Sequence, residues 1–251
     1  MRWSTPLSLG IGSYLLFLVL NFPAQQAVGL ADKAGVLAPI GLDGVQGTFW
    51  SGEAAGISFQ QMPLGHVTWR ISPASLLLGR LRYNIDLRDA SQQLTGSVQT
   101  GLIGGYRLEA LKGQVTADRI PQLIQQRQIR IGGRIELDQV DLSFEEGRLT
   151  SADGRIRWFD ALIASPMKLK TGDLQADLST ETDGGVKVDI RDLSGPTAIK
   201  ASAILAADGN YRFEASLKPG SETDPALTTA LKAVSHGNPD GSFQLKFTGR
   251  I

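Results

Sequence analysis

Two histidines, His66 and His236, are the only imidazoles in the chain, and cysteine is absent. A zinc site draws four protein ligands, or three and a water, mostly from Cys and His, so no metal centre is expected. His66 follows Gly65 at the start of an alternating segment, a solvated position. His236 precedes Gly237 at the expected end of a helix, where an imidazolium would meet the negative end of the helix dipole. The carboxylates offer Glu145-Glu146 and Asp86 with Asp89. Glycoside hydrolysis needs two carboxylates in one cleft with contrasting environments, whereas these occupy turn-like or alternating polar positions. Ser51, Ser72 and Ser242 lack the G-x-S-x-G setting of a nucleophile elbow. The chain reads as a non-enzyme with no catalytic residue and no cofactor.

Lys+Arg and Asp+Glu are both 25, so the net charge is zero and no basic excess suggests a nucleic-acid partner. The N-terminus departs from this balance. After Arg2 no charged residue occurs before Asp32. The most apolar run is Leu7 to Phe22, carrying Leu7, Ile11, Tyr14, Leu15, Leu16, Phe17, Leu18, Val19, Leu20 and Phe22. As a helix it spans about 24 Å, and extension through Pro6 and Pro23 approaches the hydrocarbon thickness of about 30 Å. Trp3 sits where an interfacial aromatic would lie. A cleaved signal peptide is the competing reading, but Ala24-Gln25-Gln26-Ala27 places Gln where a small residue is wanted, and Gly29-Leu30-Ala31 comes late. The run is expected to be an uncleaved single-pass anchor. The lone Arg2 before it predicts a cytoplasmic N-terminus and an exported body, hence the bacterial inner membrane and the periplasm.

The rest alternates with period two. In Arg80–Arg88, Leu81, Tyr83, Ile85 and Leu87 point one way and polar residues the other, the pattern of a sheet with one apolar and one wet face. Similar segments are Ile129-Ile131, Ile135-Leu137, Val140-Leu142-Phe144, Leu174-Ala176-Leu178, Val186-Val188-Ile190, Ile199–Leu205, Tyr211–Leu217 and Phe243-Leu245-Phe247. Asp183-Gly184-Gly185 and Asp208-Gly209-Asn210 predict hairpins, so consecutive strands should be antiparallel neighbours. Short helices are expected at Ser72–Leu78, Ile120–Gln128 and from Asp224-Pro225 to Gly237. Gly65–Arg70 resembles Gly154–Phe159, each followed by a Ser-Pro pair at a different offset, which suggests an internal repeat. The fold class is mainly β: a curved antiparallel meander with a few short helices after one membrane helix. The domains are 1–30, with the anchor, and 31–251, in two repeat-like halves of about 40–128 and 129–251.

Val45-Gln46-Gly47-Thr48-Phe49-Trp50-Ser51-Gly52-Glu53-Ala54 resembles the V-x-G-T-x-W-x-G-x-A signature of the type II secretion system protein N family. Leu64 to Gly79, with Trp69 and Pro73, is similar to that family's next block. Asp224-Pro225-Ala226-Leu227, Gly237–Gly241 and Phe243–Gly249 match its closing pattern, which AsmA-like envelope proteins share more loosely. Gly237-Asn238 departs from the family's more frequent Leu-Gly. The resemblance implies a bitopic inner-membrane component of a machine that exports folded proteins from the periplasm, with other secretion components as partners, among them the C-type inner-membrane protein. It carries over no catalytic residue.

Gly47, Thr48, Trp50 and Gly52 could form a recognition loop, but a strand start with tight turns and a core-packed Trp50 is the simpler expectation. Trp69 and Trp158 end alternating strands on the apolar phase and are expected in the core. A one-faced meander must cover its apolar side. An alternative function therefore follows: an AsmA-like periplasmic lipid-binding or lipid-transfer module whose apolar face takes acyl chains.

Overall fold

The computed structural model describes residues 4–250, apart from 36, 38, 73–74, 76–78, 101–104, 124–127, 129, 166–168, 222, 224 and 236. The chain divides into two compact units, residues 1–89 and 90–251. This division by packing falls upstream of the 128/129 boundary suggested by sequence similarity, which is a separate criterion.

The first unit opens with helix α1 (Ser4–Leu20) and helix α2 (Ala24–Lys33). Four strands follow: β1 (Ile40–Gly47), β2 (Ser51–Phe59), β3 (Met62–Ile71) and β4 (Leu81–Arg88), each antiparallel to the next. The predicted strand Arg80–Arg88 is β4. Its apolar set shares a face with Val67, Trp69 and Ile71 of β3, paired as Val67 with Leu87, Trp69 with Ile85 and Ile71 with Tyr83. Ala54, Val67 and Ile71 are buried. Burial also raises the phenol pKa of Tyr83. Most of the helix expected at Ser72–Leu78, Pro73 included, lies outside the described residues.

The second unit is a nine-stranded meander: β5 (Gln93–Thr100), β6 (Tyr106–Thr116), β7 (Arg130–Glu145), β8 (Arg148–Ser165), β9 (Leu169–Thr180), β10 (Val186–Ser194), β11 (Thr197–Leu205), β12 (Asn210–Pro219) and β13 (Phe243–Arg250). Every consecutive pair is antiparallel. Both predicted hairpins form, with Asp183 and Asp208 carboxylates accepting the N–H groups of Gly185 and Asn210. Helix α3 (Ile120–Leu123), after a 3₁₀ turn at Ala117–Arg119, covers the start of the helix expected to Gln128; residues 124–127 are not described. Helix α4 (Pro225–Val234) matches the last expected helix. Its Leu227 and Leu231 are buried against Ala215, Leu217 and Phe243. Each fully buried leucine contributes about 2 kcal/mol, and together they seal the β12–β13 end of the sheet's apolar face.

The registers show how completely the two faces differ. One row across seven strands reads Leu137, Ile156, Ala176, Ile190, Ala201, Ala215, Leu245. The row one residue away reads Asp138, Arg155, Asp177, Asp189, Ser202, Glu214, Lys246. A one-residue slip would exchange these rows, so the register is strongly specified. Ion pairs tie the polar face across strands: Arg155 Nε to Asp177 Oδ1 at 2.7 Å, Arg191 to Asp177 at 3.7 Å, Arg157 to Asp138 at 3.7 Å and Lys246 to Glu214 at 3.4 Å.

Asp177 is held below the usual carboxylate pKa, chiefly by the hydrogen bond from Arg155, with help from Gln175 and Arg191 and against partial burial. Lys187 lowers Asp189 in the same way. A folded-state pKa below the unfolded value gives stability that is present above the unfolded value, about 4, and is lost as pH falls through the folded one. The melting temperature should therefore drop on acidification below about pH 4, and Asp177→Asn should flatten that drop. Thermal melts across pH check this; an equally steep profile in Asp177→Asn would remove the pair from the account.

Candidate functional site

The residues singled out by sequence converge where α1 meets the first sheet. Helix α1 holds Leu7, Ile11, Tyr14, Leu15, Leu16, Phe17, Leu18, Val19 and Leu20. Ile11, Tyr14 and Leu15 to Leu20 are all solvent-exposed, from 46 % for Leu18 to 62 % for Tyr14. No side of this stretch is polar, and no side is packed away.

The helix is shorter than expected. It closes at Leu20, and Phe22 lies beyond it. Pro23 explains the stop: a residue preceding proline is driven out of the α region, and proline has no N–H to continue the ladder. The Asn21 side-chain amide and its backbone N–H both donate to the Phe17 carbonyl, at 2.9 and 3.0 Å, satisfying a helix-end acceptor. Seventeen residues rise about 25 Å, against a hydrocarbon core of about 30 Å. Among the described residues no helix is long and apolar enough to cross a membrane. The expected extension of the span through Pro23 is thus corrected.

The motif turn sits against this helix end. The Thr48 N–H donates to Ser51 O at 2.9 Å, and Thr48 Oγ1 accepts from the Ser51 N–H at 3.2 Å. Gly47 has φ +86°, and a Cβ there would stand 2.7 Å from Ser51 O. A Cβ on Gly52 would stand 2.6 Å from both Gln46 O and the Trp69 ring. Both positions therefore need glycine for close approach. Trp50 is half-buried, and its indole N–H donates to Val19 O at 2.7 Å. It packs at the helix end instead of in the sheet's core. The Phe49 N–H donates to Phe22 O at 2.8 Å, and Pro23 bridges to Thr48.

The same turn is bonded to the sheet on its other side. Phe49 O accepts from the Trp69 indole at 3.3 Å, and Trp50 O accepts from the Ile71 N–H at 2.7 Å. The Phe49 ring makes edge contacts with Trp50 and Tyr83, at centroid distances of 5.1 and 6.2 Å. Donors of the turn serve the helix and acceptors serve β3. Trp158 repeats the Trp69 arrangement in the second unit: its indole donates to Gly132 O at 2.9 Å, four residues after a positive-φ glycine, Gly154, as Trp69 follows Gly65.

Among the described residues the candidate catalytic groups do not assemble. His66 lies 3.7 Å from Glu53, both well exposed. Asp86 pairs with Arg88 and Glu146 with Arg148. Ser242 Oγ donates to Asp240 at 2.7 Å within a turn, and Ser51 belongs to the turn above. His236 lies outside the described residues. Sequence reasoning passed over α2 and Asn21. Ala24, Ala27, Val28 and Ala31 of α2 recur at helical spacing and are its less exposed side, a signal that could have marked a helix in a stretch weighed only as a cleavage site.

An antiparallel meander preceded by two helices, the first of them apolar and exposed, defines a mainly β protein class with a helical N-terminal segment. The chain belongs to the type II secretion system protein N family, whose model matches residues 38–246. It is 27 % identical to type II secretion system protein N of Vibrio cholerae serotype O1, covering 93 % of each chain, and 27 % identical to that of Aeromonas hydrophila, covering 97 % of each. The Klebsiella pneumoniae protein of the same name is 28 % identical over 88 % of this chain and 84 % of its own. No solved structure matches.

Proposed function

We propose that this protein is a non-enzymatic inner-membrane component of the type II secretion system, assisting export of folded proteins from periplasm to exterior through contacts with other components of the machine, the C-type inner-membrane protein among them. Helix α1 is the single-pass anchor, the N-terminus is cytoplasmic and the strands lie in the periplasm. The observation that carries this reading is the helix that exposes apolar side chains all round, its end hydrogen-bonded to the motif turn of a body matching the family. Water tolerates such a helix poorly, and hydrocarbon is the solvent it suits. Deleting the gene should leave a folded exoprotein trapped in the periplasm, and the full-length chain should restore its release. Undiminished secretion in the deletion strain would refute the role.

A second reading rests on the apolar row of β7 to β11, the part that α4 leaves open. Five strands give four spacings of about 4.8 Å, roughly 19 Å of aliphatic and small side chains, more than one leaflet's half of the hydrocarbon core of about 30 Å. Ile156, Ala176, Ile190 and Ala201 along it are only partly buried. This face suits an acyl chain, as in an AsmA-like lipid-binding or lipid-transfer module. The deletion strain distinguishes the two: altered lipid distribution across the envelope with normal secretion selects the second.

A further inference from the structure

The turn Gly47–Gly52 does more than close a hairpin. Its two outward donors, the Phe49 N–H and the Trp50 indole N–H, are spent on carbonyls at or just past the end of α1. Its two carbonyls, at Phe49 and Trp50, are spent on β3. A bracket of this kind leaves the helix no flexible linker, because Asn21 and Pro23 are themselves bonded into the helix end and to Thr48.

The helix length says where the bracket lies. Taking α1 as the membrane anchor, its apolar rise of about 25 Å falls about 5 Å short of the hydrocarbon core. Such a shortfall is met by local thinning of the bilayer or by flanking side chains that extend the apolar length, with tryptophan favoured at the boundary. Phe49 and Trp50 stand at the short end, and Phe22 stands with them. The Val19 carbonyl is also poorly served by the helix ladder: Pro23, four residues on, has no N–H, and the Phe22 N–H reaches it only at 3.3 Å. In a medium without water an under-satisfied carbonyl is costly, and the Trp50 indole supplies a second, shorter bond at 2.7 Å.

We propose that the Gly47–Gly52 turn is a membrane-surface collar: it clamps the end of α1 to β3 and lays Phe49 and Trp50 among the lipid headgroups, so that the first sheet is held rigidly at the bilayer surface. This rests on α1 being the anchor, and the test separates the two claims. The chain has no native cysteine, so introduced thiols can be spin-labelled singly or in pairs. Full-length protein would be reconstituted in phosphatidylethanolamine–phosphatidylglycerol vesicles doped with a lipid bearing a nickel chelate on its headgroup. A label at Ser51→Cys should relax at least about fivefold faster than one at Gln61→Cys, in the β2–β3 turn of the same unit, because that turn lies about 27 Å along β2 from the collar. In a Leu15→Cys, Asn84→Cys pair the label-to-label distance distribution should be narrow, and adding Trp50→Phe, which keeps an aromatic ring but no donor, should widen it about twofold while the chain stays carbonate-resistant. Carbonate extraction of the parent chain would overturn the anchor and the collar together. A carbonate-resistant chain whose Ser51 label ignores the chelating lipid, or whose distance distribution is already broad before Trp50→Phe, would overturn the collar alone.

Discussion

Replacing Ile11 with arginine should move the chain out of the carbonate-resistant membrane fraction and reduce exoprotein secretion to the level of a gene deletion. Ile11 lies one residue from the midpoint of α1 and is half exposed, so with α1 as the proposed anchor the new guanidinium would face lipid directly. On insertion scales the exchange of a central isoleucine for arginine costs about 3 kcal/mol, more than a hundredfold in a partition equilibrium. A long helix could slide to bring the charge to the surface. This one has no slack: it is already short, and the Trp50 bond to Val19 fixes its end. Gln25→Arg is the matched control, an exposed site on α2 beyond α1, and should leave both fractionation and secretion at parental levels. Membrane retention of Ile11→Arg at the parental level would mean that something other than α1 holds the protein.

The strands were legible because one-faced burial imposes an alternation that no other element shares. Arg80–Arg88 needed no tertiary information to be read as β4. The reading weakened where the alternation changes phase. Ile135 and Leu137 face the core side on odd numbers, Leu142 and Phe144 on even ones, and sequence alone suggests two strands. The structure has one strand, β7, in which the register shifts between Asp138 and Asp141 and Gln139 adopts φ +50°. Nothing in the type of a glutamine announces a left-handed residue; the bulge is imposed by pairing with β6 and β8 at once.

The site was half legible for a similar reason. The apolar run is visible in any window, and the glycine–tryptophan motif stands out by its resemblance to a family. What joins them is a hydrogen bond between residues 31 apart in sequence. No periodicity encodes such a contact, so Trp50 could only be assigned to the commonest fate of a tryptophan at a strand start, the core. Hydropathy counts side chains and extends the helix to Phe22, whereas the backbone of Pro23 and the amide of Asn21 decide where it ends.

Gly172→Ala should cost far more stability than Gly147→Ala, although the two glycines have the same φ, +77°. Gly147 sits in the β7–β8 turn after Glu146, itself at φ +51°, and a Cβ there would meet nothing within 4 Å. Its replacement bears only the left-handed penalty, about 1 kcal/mol. At Gly172 a Cβ would stand 1.9 Å from Ser194 O and 2.6 Å from Gly195 Cα, and a Cβ on Gly195 would reach 2.1 Å from Thr171 O. Two backbones cross there with no side chain between them, beside the register shift of β10 at Asp192 and Ser194. Relief requires β9 and β10 to separate, which would break the ladder that carries the Asp177–Arg191 pair and the apolar row beneath it. The expected loss is on the order of 4 kcal/mol, the range reserved for backbone strain and core disruption. Urea denaturation of the full chain in detergent, followed by tryptophan fluorescence, measures both variants against the parent. Equal midpoints for Gly172→Ala and Gly147→Ala would show that φ alone sets the cost and that the crossing is free to open. A much lower midpoint for Gly172→Ala would show that the close approach of β9 and β10, and not the left-handed conformation, sets the cost.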